Sequence, residues 1–281
     1  MRIKEEYLHM TGTAENDAEA IQRLAEIISL LRRECPWDKV QTHETLRKGM
    51  IEEAYEVVEA INNKDMANLR EELGDVLLQI VFHADLAAEE GQFDLKDLIN
   101  EECEKMIRRH PHVFLQEMRN NSAKSIDKVL EKWENIKVEE KQEKSYASRL
   151  ERVPRALPAL MRAFKIQKKA ADVGFDWEDV SGAFDKVTEE HAELMKQYRE
   201  EPSQKQRIEE EVGDLLFSCV NVARFLDIDP ESALNYTIDK FMRRFCHIEK
   251  RAIDLGVDLK DMSLEEMDML WEEAKGFEHT V

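Results

Sequence analysis

Apolar residues recur along the chain at intervals of three and four, the spacing of one face of an α-helix. The clearest stripe lies between residues 51 and 61, and comparable stripes fill residues 73–88 and 212–226. No segment alternates apolar and polar residues as a half-buried strand does. The pattern therefore predicts an all-α protein. The members of the clearest stripe are Ile51, Ala54, Tyr55, Val58 and Ile61.

Polar breaks divide these stripes into separate helices. Residues 62–65 and residues 199–203 each interrupt an apolar pattern, so each break predicts the turn of a helical hairpin. Asp94 and Asp229 precede the next stripes and have the character of N-caps, and Pro230 then occupies the tolerated first position of its helix. The predicted architecture is a small helical bundle.

The bundle is encoded twice. Leu-Gly-Asp-Val-Leu-Leu at residues 73–78 reappears as Val-Gly-Asp-Leu-Leu-Phe at residues 212–217, and the flanking positions repeat as well. A repeat this long indicates a duplicated domain rather than a solenoid. A charged connection with two prolines covers residues 139–158. We place the boundary within it, which predicts tandem modules at residues 1–147 and 148–281. Matched positions are Trp37 with Trp177, Glu53 with Glu190, Glu56 with Glu193, Glu72 with Glu211, Asp75 with Asp214, Lys105 with Lys240, Arg109 with Arg244, Trp133 with Trp271 and Lys137 with Lys275.

The charge balance limits the partners. With 61 acidic and 41 basic residues, the net charge of −20 disfavours nucleic acid, whose phosphates attract basic surfaces. Divalent cations between protein and ligand would still allow a nucleotide to bind. The apolar segments 76–88 and 215–226 contain polar residues and are too short to cross a bilayer, so they predict buried helices and no membrane partner. The absence of a signal-peptide pattern and four widely spaced cysteines predict a cytoplasmic protein with reduced thiols.

Paired carboxylates are the candidate chemistry. Residues three apart on a helix point the same way, and a hairpin would bring two such pairs together. Four converging carboxylates repel each other unless they are protonated or bound to metal, and oxygen ligands without His or Cys favour Mg²⁺, with Mn²⁺ as a substitute. The predicted ligands are Glu190, Glu193, Glu211 and Asp214 in the second copy and Glu53, Glu56, Glu72 and Asp75 in the first.

The same motif has a plainer reading, since Glu-x-x-Glu in so acidic a chain is typical of a solvated helix face. Two features favour a site. The constellation occurs twice, and Gly74 and Gly213 interrupt helical patterns at a cost of about 1 kcal/mol each relative to alanine, which predicts a close approach to the backbone there.

Basic and aromatic residues complete a predicted nucleotide site. Lys240 and Arg244, four apart, are suited to phosphates, and Trp271 to stacking on a base, with Lys275 one turn further along. A tryptophan near a helix end is also typical of a core position. Its recurrence with a lysine in the first copy favours the binding role.

These motifs resemble a known family, the MazG-type nucleoside triphosphate pyrophosphohydrolases of the all-α NTP pyrophosphatase superfamily. The family pattern Glu-Glu-x-x-Glu followed by Glu-x-x-Asp stands at residues 52–56 with 72–75, and again at residues 189–193 with 211–214. The resemblance extends over nearly the whole chain from about residue 20 and includes the two-domain layout. Further matching segments are Cys35-Pro36-Trp37-Asp38, Arg108-Arg109-His110-Pro111-His112-Val113-Phe114 and Val173-Gly174-Phe175-Asp176-Trp177.

The resemblance implies a Mg²⁺-dependent homodimer that hydrolyses ordinary and aberrant ribo- and deoxyribonucleoside triphosphates to the monophosphate and pyrophosphate, as nucleotide-pool housekeeping. By position, the second copy's four acidic residues would bind metal, and Glu189 or Glu190 is the candidate general base. The first copy has Gly49 and Asn68 where the second has Lys186 and Arg207, so the C-terminal module is predicted to dominate catalysis. The residues implied around the nucleotide are Lys186, Arg207, Lys240, Arg244 and Trp271.

Three alternatives stay open. A dUTPase-like enzyme would restrict the same chemistry to one substrate. A di-iron protein would place Glu-x-x-His at the repeated sites, where this chain has Glu-x-x-Glu. A non-enzymatic acidic module would use the bundle for dimerisation or interaction alone.

Overall fold

The computed structural model describes residues 3–114, 129, 133, 136 and 145–278, and over these residues it is helical without strands. The predicted all-α class is confirmed. The chain divides into two compact units, Met1–Glu140 and Lys141–Val281. The helices of the first unit are α1 (Asp17–Glu34), α2 (His43–Asn63), α3 (Met66–Glu89), α4 (Leu95–Arg109) and α5 (Pro111–Phe114). Those of the second are α6 (Tyr146–Glu151), α7 (Ala159–Ala171), α8 (Val180–Glu200), α9 (Lys205–Phe225), α10 (Pro230–Leu255) and α11 (Leu264–Glu278). Short 3-10 turns cover Glu5–Met10, Asp38–Val40 and Leu259–Asp261.

The first unit is built on the α2–α3 hairpin. Helix α2 begins with a capping box between Thr42 and Thr45 and ends at Lys64, whose left-handed backbone (φ 56°) turns the chain into α3. Helix α1 packs on α3, and α3 also contacts α4. The core consists of Ile28, Leu46, Val81, Phe82 and Leu86.

The second unit repeats the hairpin with α8 and α9. Helix α7 packs against α9. Helix α10 contacts α7, α9 and α11. The predicted N-caps are confirmed, because the carboxylates of Asp94 and Asp229 accept hydrogen bonds from the first turns of α4 and α10. Pro230 is the first residue of α10, as predicted.

A close approach fixes the entry to α8. The Trp177 side chain lies directly against Gly182, so that a Cβ at residue 182 would overlap its ring. Arg224 of α9 also holds this loop, since its Nη2 lies 2.5 Å from Asp176 Oδ1. In the first unit the corresponding loop is held by Arg32, which donates to the backbone oxygens of Asp38 and Gln41.

In each hairpin, several apolar side chains are about half exposed among the residues that the structure describes. The stripe predicted on α2 is about half exposed: 49% at Ile51, 47% at Tyr55, 48% at Val58 and 55% at Ile61. The expectation of buried helices holds for residues 81–87, most of which are buried. It is wrong for part of 215–226, because the side chains of Leu216 and Phe217 are about half exposed. No helix among the described residues is long and apolar enough to span a membrane.

Candidate metal and nucleotide site

Three glutamates converge where α8 and α9 pack together. Glu190 and Glu193 come from α8 and Glu211 from α9, and each presents a carboxylate oxygen within 4.8 Å of the other two. The pair on α8 is three residues apart and therefore shares one helical face. Glu190 is buried, Glu211 partly buried and Glu193 exposed, so the cluster opens to solvent on one side.

Lys186 closes the cluster on the α8 side. Its Nζ lies 2.6 Å from Glu190 Oε1 and 3.0 Å from Glu189 Oε1. Hydrogen bonds to Glu190 and then to Glu189 raise the pKa of Lys186 well above the usual value for lysine. The lysine therefore stays charged at neutral pH and partly neutralises the cluster.

Glu211 carries the unbalanced charge. Burial raises the pKa of its carboxyl, and the nearby charges of Glu193, Asp214 and Glu190 raise it further. Its Oε2 is buried and accepts no hydrogen bond from the residues that the structure describes. Three carboxylates, one of which also carries an unpartnered buried oxygen, fit a hard divalent cation such as Mg²⁺. The residues present therefore fit the predicted metal.

The predicted aspartate ligands stand beside the clusters rather than in them. Asp214 is close enough to raise the pKa of Glu211 but does not join the convergent set. Asp75 holds the matching place in the first unit. Burial is the main cause of the raised pKa of Glu53, and the charge of Asp75 is the next. The predicted close approach to Gly74 and Gly213 is not found among the described residues, since a Cβ at either glycine would have no neighbour within 4 Å. Both glycines face open space.

A second group of the predicted residues lies on α10 and α11. The Arg244 guanidinium is 5.3 Å from the centre of the Trp271 ring, which also packs at 5.1 Å against Phe241. Lys240 lies over the Tyr236 ring, at 5.9 Å from its centre. The Trp271 side chain is only partly buried, so part of its surface stays accessible.

Two predicted cations point elsewhere. Lys275 pairs with Glu272 on its own helix. Arg207 lies with Nη1 at 3.5 Å from Glu201 Oε2, beside the hairpin turn rather than the carboxylate cluster. Both side chains are long, and both pairs are exposed ones of the kind that contributes little stability.

Comparison with known proteins assigns this chain to a family. The model of the MazG nucleotide pyrophosphohydrolase domain matches residues 41–114 and 171–248. The chain belongs to the MazG family. The matched segments contain both glutamate clusters and end before Trp271 and Lys275. The predicted family resemblance and the two MazG copies are confirmed, and MazG domains are hydrolases.

Relatives match nearly the full length. The nucleoside triphosphate pyrophosphohydrolase of Escherichia coli K12 is 45% identical over 91% of this chain and 97% of its own. The nucleoside triphosphate pyrophosphohydrolase/pyrophosphatase MazG of Thermotoga maritima is 44% identical over 92% of this chain and 97% of its own. The crystal structure of a mazG-related protein from Thermotoga maritima matches 41% of this chain and 97% of its own at 34% identity, with a TM-score of 0.36.

The first MazG copy repeats the carboxylates but has Gly49 at the position that matches Lys186. Glu53, Glu56 and Glu72 also converge within 4.8 Å. Burial raises the pKa of Glu72, and a hydrogen bond with Glu56 raises it further. Lys48 pairs with Glu52, at 2.8 Å, rather than with this cluster. The Arg-Trp contact recurs, because the Arg109 guanidinium lies 5.9 Å from the centre of the Trp133 ring. Lys137, predicted to accompany Trp133, lies outside the described residues.

Two matched positions differ together between the copies, and the sequence analysis did not identify this difference. At Gly49, which matches Lys186, a Cβ would lie 2.8 Å from Gln79 Nε2, so the Gln79 amide occupies the space beside this glycine. The position that matches Gln79 in the second copy is Ser218, which is smaller and buried. A residue-by-residue alignment of the two copies shows that Gly49 and Gln79 of the first copy are replaced by Lys186 and Ser218 in the second. Only the fold shows that Gly49 and Gln79 are in contact.

Proposed function

We propose that this chain is a Mg²⁺-dependent pyrophosphohydrolase, with Mn²⁺ as a substitute ion, that converts nucleoside triphosphates and water to the monophosphate and pyrophosphate. The proposed substrates are broad, covering ribo- and deoxyribonucleoside triphosphates. The observation that carries the proposal is the cluster of Glu190, Glu193 and Glu211 with its unpartnered buried oxygen. The names of the full-length relatives support the same activity.

In the proposed mechanism Glu190, Glu193 and Glu211 would hold the ion, with Asp214 as a further ligand. When bound, Mg²⁺ neutralises phosphate charge and lowers the pKa of a coordinated water. In the proposed reaction a water oxygen forms a bond to the α-phosphorus while the bond from that phosphorus to the bridging oxygen breaks, and pyrophosphate leaves. Glu189 or Glu190 is the candidate general base that accepts the water proton, whichever carboxylate the ion would not fully use.

Five cations and one ring are proposed to bind the nucleotide. Lys186 can exchange its carboxylate partners for phosphate oxygens without leaving the cluster. Trp271, with Phe241 behind it and Arg244 on its face, is suited to stacking on a base. The proposed nucleotide-binding residues are Lys186, Arg207, Lys240, Arg244, Trp271 and Lys275.

The test is pyrophosphate release from a panel of triphosphates with Mg²⁺. Glu193→Gln keeps the shape of a ligand but removes its charge, and we expect loss of most activity. Glu209→Gln, on exposed α9 surface, is the matched control and should retain it. If Glu193→Gln remains as active as the control, the glutamate cluster is not the catalytic site. Turnover of dUTP alone across the panel would favour the dUTPase-like alternative.

We further propose that the C-terminal module dominates catalysis. The supporting contrast is Lys186 on the second cluster against Gly49 and Gln79 beside the first. Glu56→Gln should therefore reduce activity far less than Glu193→Gln. Equal losses would contradict this ranking. A module boundary between residues 147 and 148, and a cytoplasmic location, stay predictions.

A homodimer is proposed from the exposed apolar stripe on α2. Four large apolar side chains in one line, each about half exposed, exceed the scattered apolar residues usual on a monomer surface. Burying Ile51, Tyr55, Val58 and Ile61 against a second copy would remove them from water. Light scattering after size-exclusion chromatography should give twice the mass of the chain, and Tyr55→Lys should shift the protein toward monomer. A monomeric unaltered protein would contradict the proposal.

A further inference from the structure

The first unit contains a histidine pair that the proposed activity does not use. His43, the first residue of α2, lies with its Nδ1 2.7 Å from Nδ1 of His83 on α3. The ring planes are parallel within 2°, with the ring centres 5.0 Å apart. One Nδ1 atom lies in each ring plane, and the distance between two parallel planes cannot exceed the distance between an atom of one and an atom of the other. The two ring planes are therefore separated by at most the 2.7 Å between the Nδ1 atoms. That is too close for face-to-face stacking, and the rings therefore lie edge to edge.

Edge-to-edge geometry directs both Nδ1 atoms at one point. A neutral imidazole carries one N–H and one lone pair, so at most one proton occupies the space between the two nitrogens. A metal ion can replace that proton, because imidazole nitrogen is a ligand for Zn²⁺, Ni²⁺ and Cu²⁺ but a poor one for Mg²⁺. With metal–nitrogen distances of about 2.0–2.1 Å, tetrahedral ligands stand roughly 3.3 Å apart. The pair would need to open by roughly 0.6 Å, which side-chain rotation can supply.

The surroundings leave room for further ligands. Both histidines line a cavity of about 360 Å³ together with Glu44, Arg47 and Met50. The charges of Glu44 and Arg47 offset each other. On α3, Asp85 lies two residues after His83 in the sequence and already accepts a hydrogen bond from Ser29, at 2.5 Å. Burial, with the charge of His43, lowers the pKa of His83. His83 therefore stays in the neutral form that binds metal.

The second unit lacks the pair. By the repeat, His43 matches Val180, which is likewise the first residue of its helix, and His83 matches Val222. The pair is also separate from the first glutamate cluster, since His43 precedes Glu53 by ten residues, or about 15 Å of helix. Neither the shared fold nor the glutamate chemistry explains two histidines at this place.

We propose that the Nδ1 atoms of His43 and His83 bind one late first-row divalent ion, of the Zn²⁺, Ni²⁺ and Cu²⁺ class, which links α2 to α3 in the first unit. Water in the cavity completes the coordination. The site is independent of the pyrophosphohydrolase activity. It would stabilise the N-terminal hairpin only when such an ion is present.

The test is calorimetric titration of NiCl₂ into the EDTA-treated full-length protein, with MgCl₂ in excess to occupy the glutamate clusters. We expect one nickel site per chain. His43→Val and His83→Val, which introduce the second unit's own residues, should weaken nickel binding at least about tenfold, the lower end of losses seen even for residues that only support a ligand. His9→Gln, an exposed histidine outside the pair, is the control and should bind as the unaltered protein does.

A second measurement does not depend on the variants' stability. In nitrogen-15 spectra of the unaltered protein, ZnCl₂ should shift the Nδ1 resonances of His43 and His83 and leave that of His9 in place. Absence of a saturable nickel site, nickel binding by His83→Val at unchanged affinity, or a zinc response spread equally over all histidines would each overturn the proposal. The pair would then share a proton only.

Discussion

Replacing Lys186 by methionine tests the electrostatics of the second glutamate cluster. The side chain of Glu190 is 7% exposed, and Lys186, itself 37% exposed, is the cation that contacts it. Methionine keeps the length of the lysine stem and removes the charge. Glu190 would then be buried beside Glu193 and Glu211 without a positive partner in the described parts of the chain.

The expected loss follows from the burial. Removing one partner of a fully buried ion pair costs about 3–5 kcal/mol, whereas exposed pairs contribute about 0–1 kcal/mol. Because Lys186 is partly exposed, we expect the metal-free protein to lose about 1–3 kcal/mol, which lowers Tm by roughly 3–10 °C. The raised pKa of Lys186 means that its contribution is complete at neutral pH and is lost only as the pH rises above the ordinary lysine value of about 10.4.

The assay is thermal unfolding in EDTA and again with excess Mg²⁺. A bound cation would supply the missing positive charge, so the difference between Lys186→Met and the unaltered protein should shrink when Mg²⁺ is added. Lys196→Met, an exposed lysine on the same helix, is the control. The double variant Lys186→Met with Glu190→Gln should recover part of the loss, since no buried charge is then left alone. Equal Tm values for Lys186→Met and Lys196→Met in EDTA would refute the reasoning.

Three further outcomes follow from single residues. Because the folded-state pKa of Glu211 is raised, the metal-free protein should lose stability as the pH rises above the ordinary carboxyl value of about 4.3. Glu211→Gln should weaken this pH dependence and reduce the stabilisation of the protein by Mg²⁺. Denaturant titrations between acid and neutral pH check both effects. Trp271→Ala should raise KM about tenfold and Trp271→Phe less, with kcat affected little, if the ring stacks on the base; unchanged KM in both would remove Trp271 from the site. Arg32→Leu should destabilise the first unit by about 2–4 kcal/mol, because the buried guanidinium binds Glu89 at 2.6 Å and two backbone oxygens; unfolding at an unaltered denaturant concentration would contradict this.

Local features of this protein follow from its sequence. The spacing of apolar residues predicts helices, and the caps at Asp94 and Asp229 lie where short-range hydrogen bonding requires them. The repeat predicts two copies of one hairpin, and spacing of three places Glu190 and Glu193 on one face. These inferences need only the geometry of a single helix or a comparison of the chain with itself.

Contacts between helices were decided by the tertiary structure. His43 and His83 are 40 residues apart, and Arg32 and Glu89 are 57 apart, so their meeting depends on the register in which two helices pack. The same register admits Glu211 to the cluster and leaves Asp214 beside it, although both aspartate and glutamate belong to one motif. Periodicity specifies which face of a helix is apolar. It does not specify the rotation and offset between neighbouring helices, which depend on how all the side chains at the interface fit together.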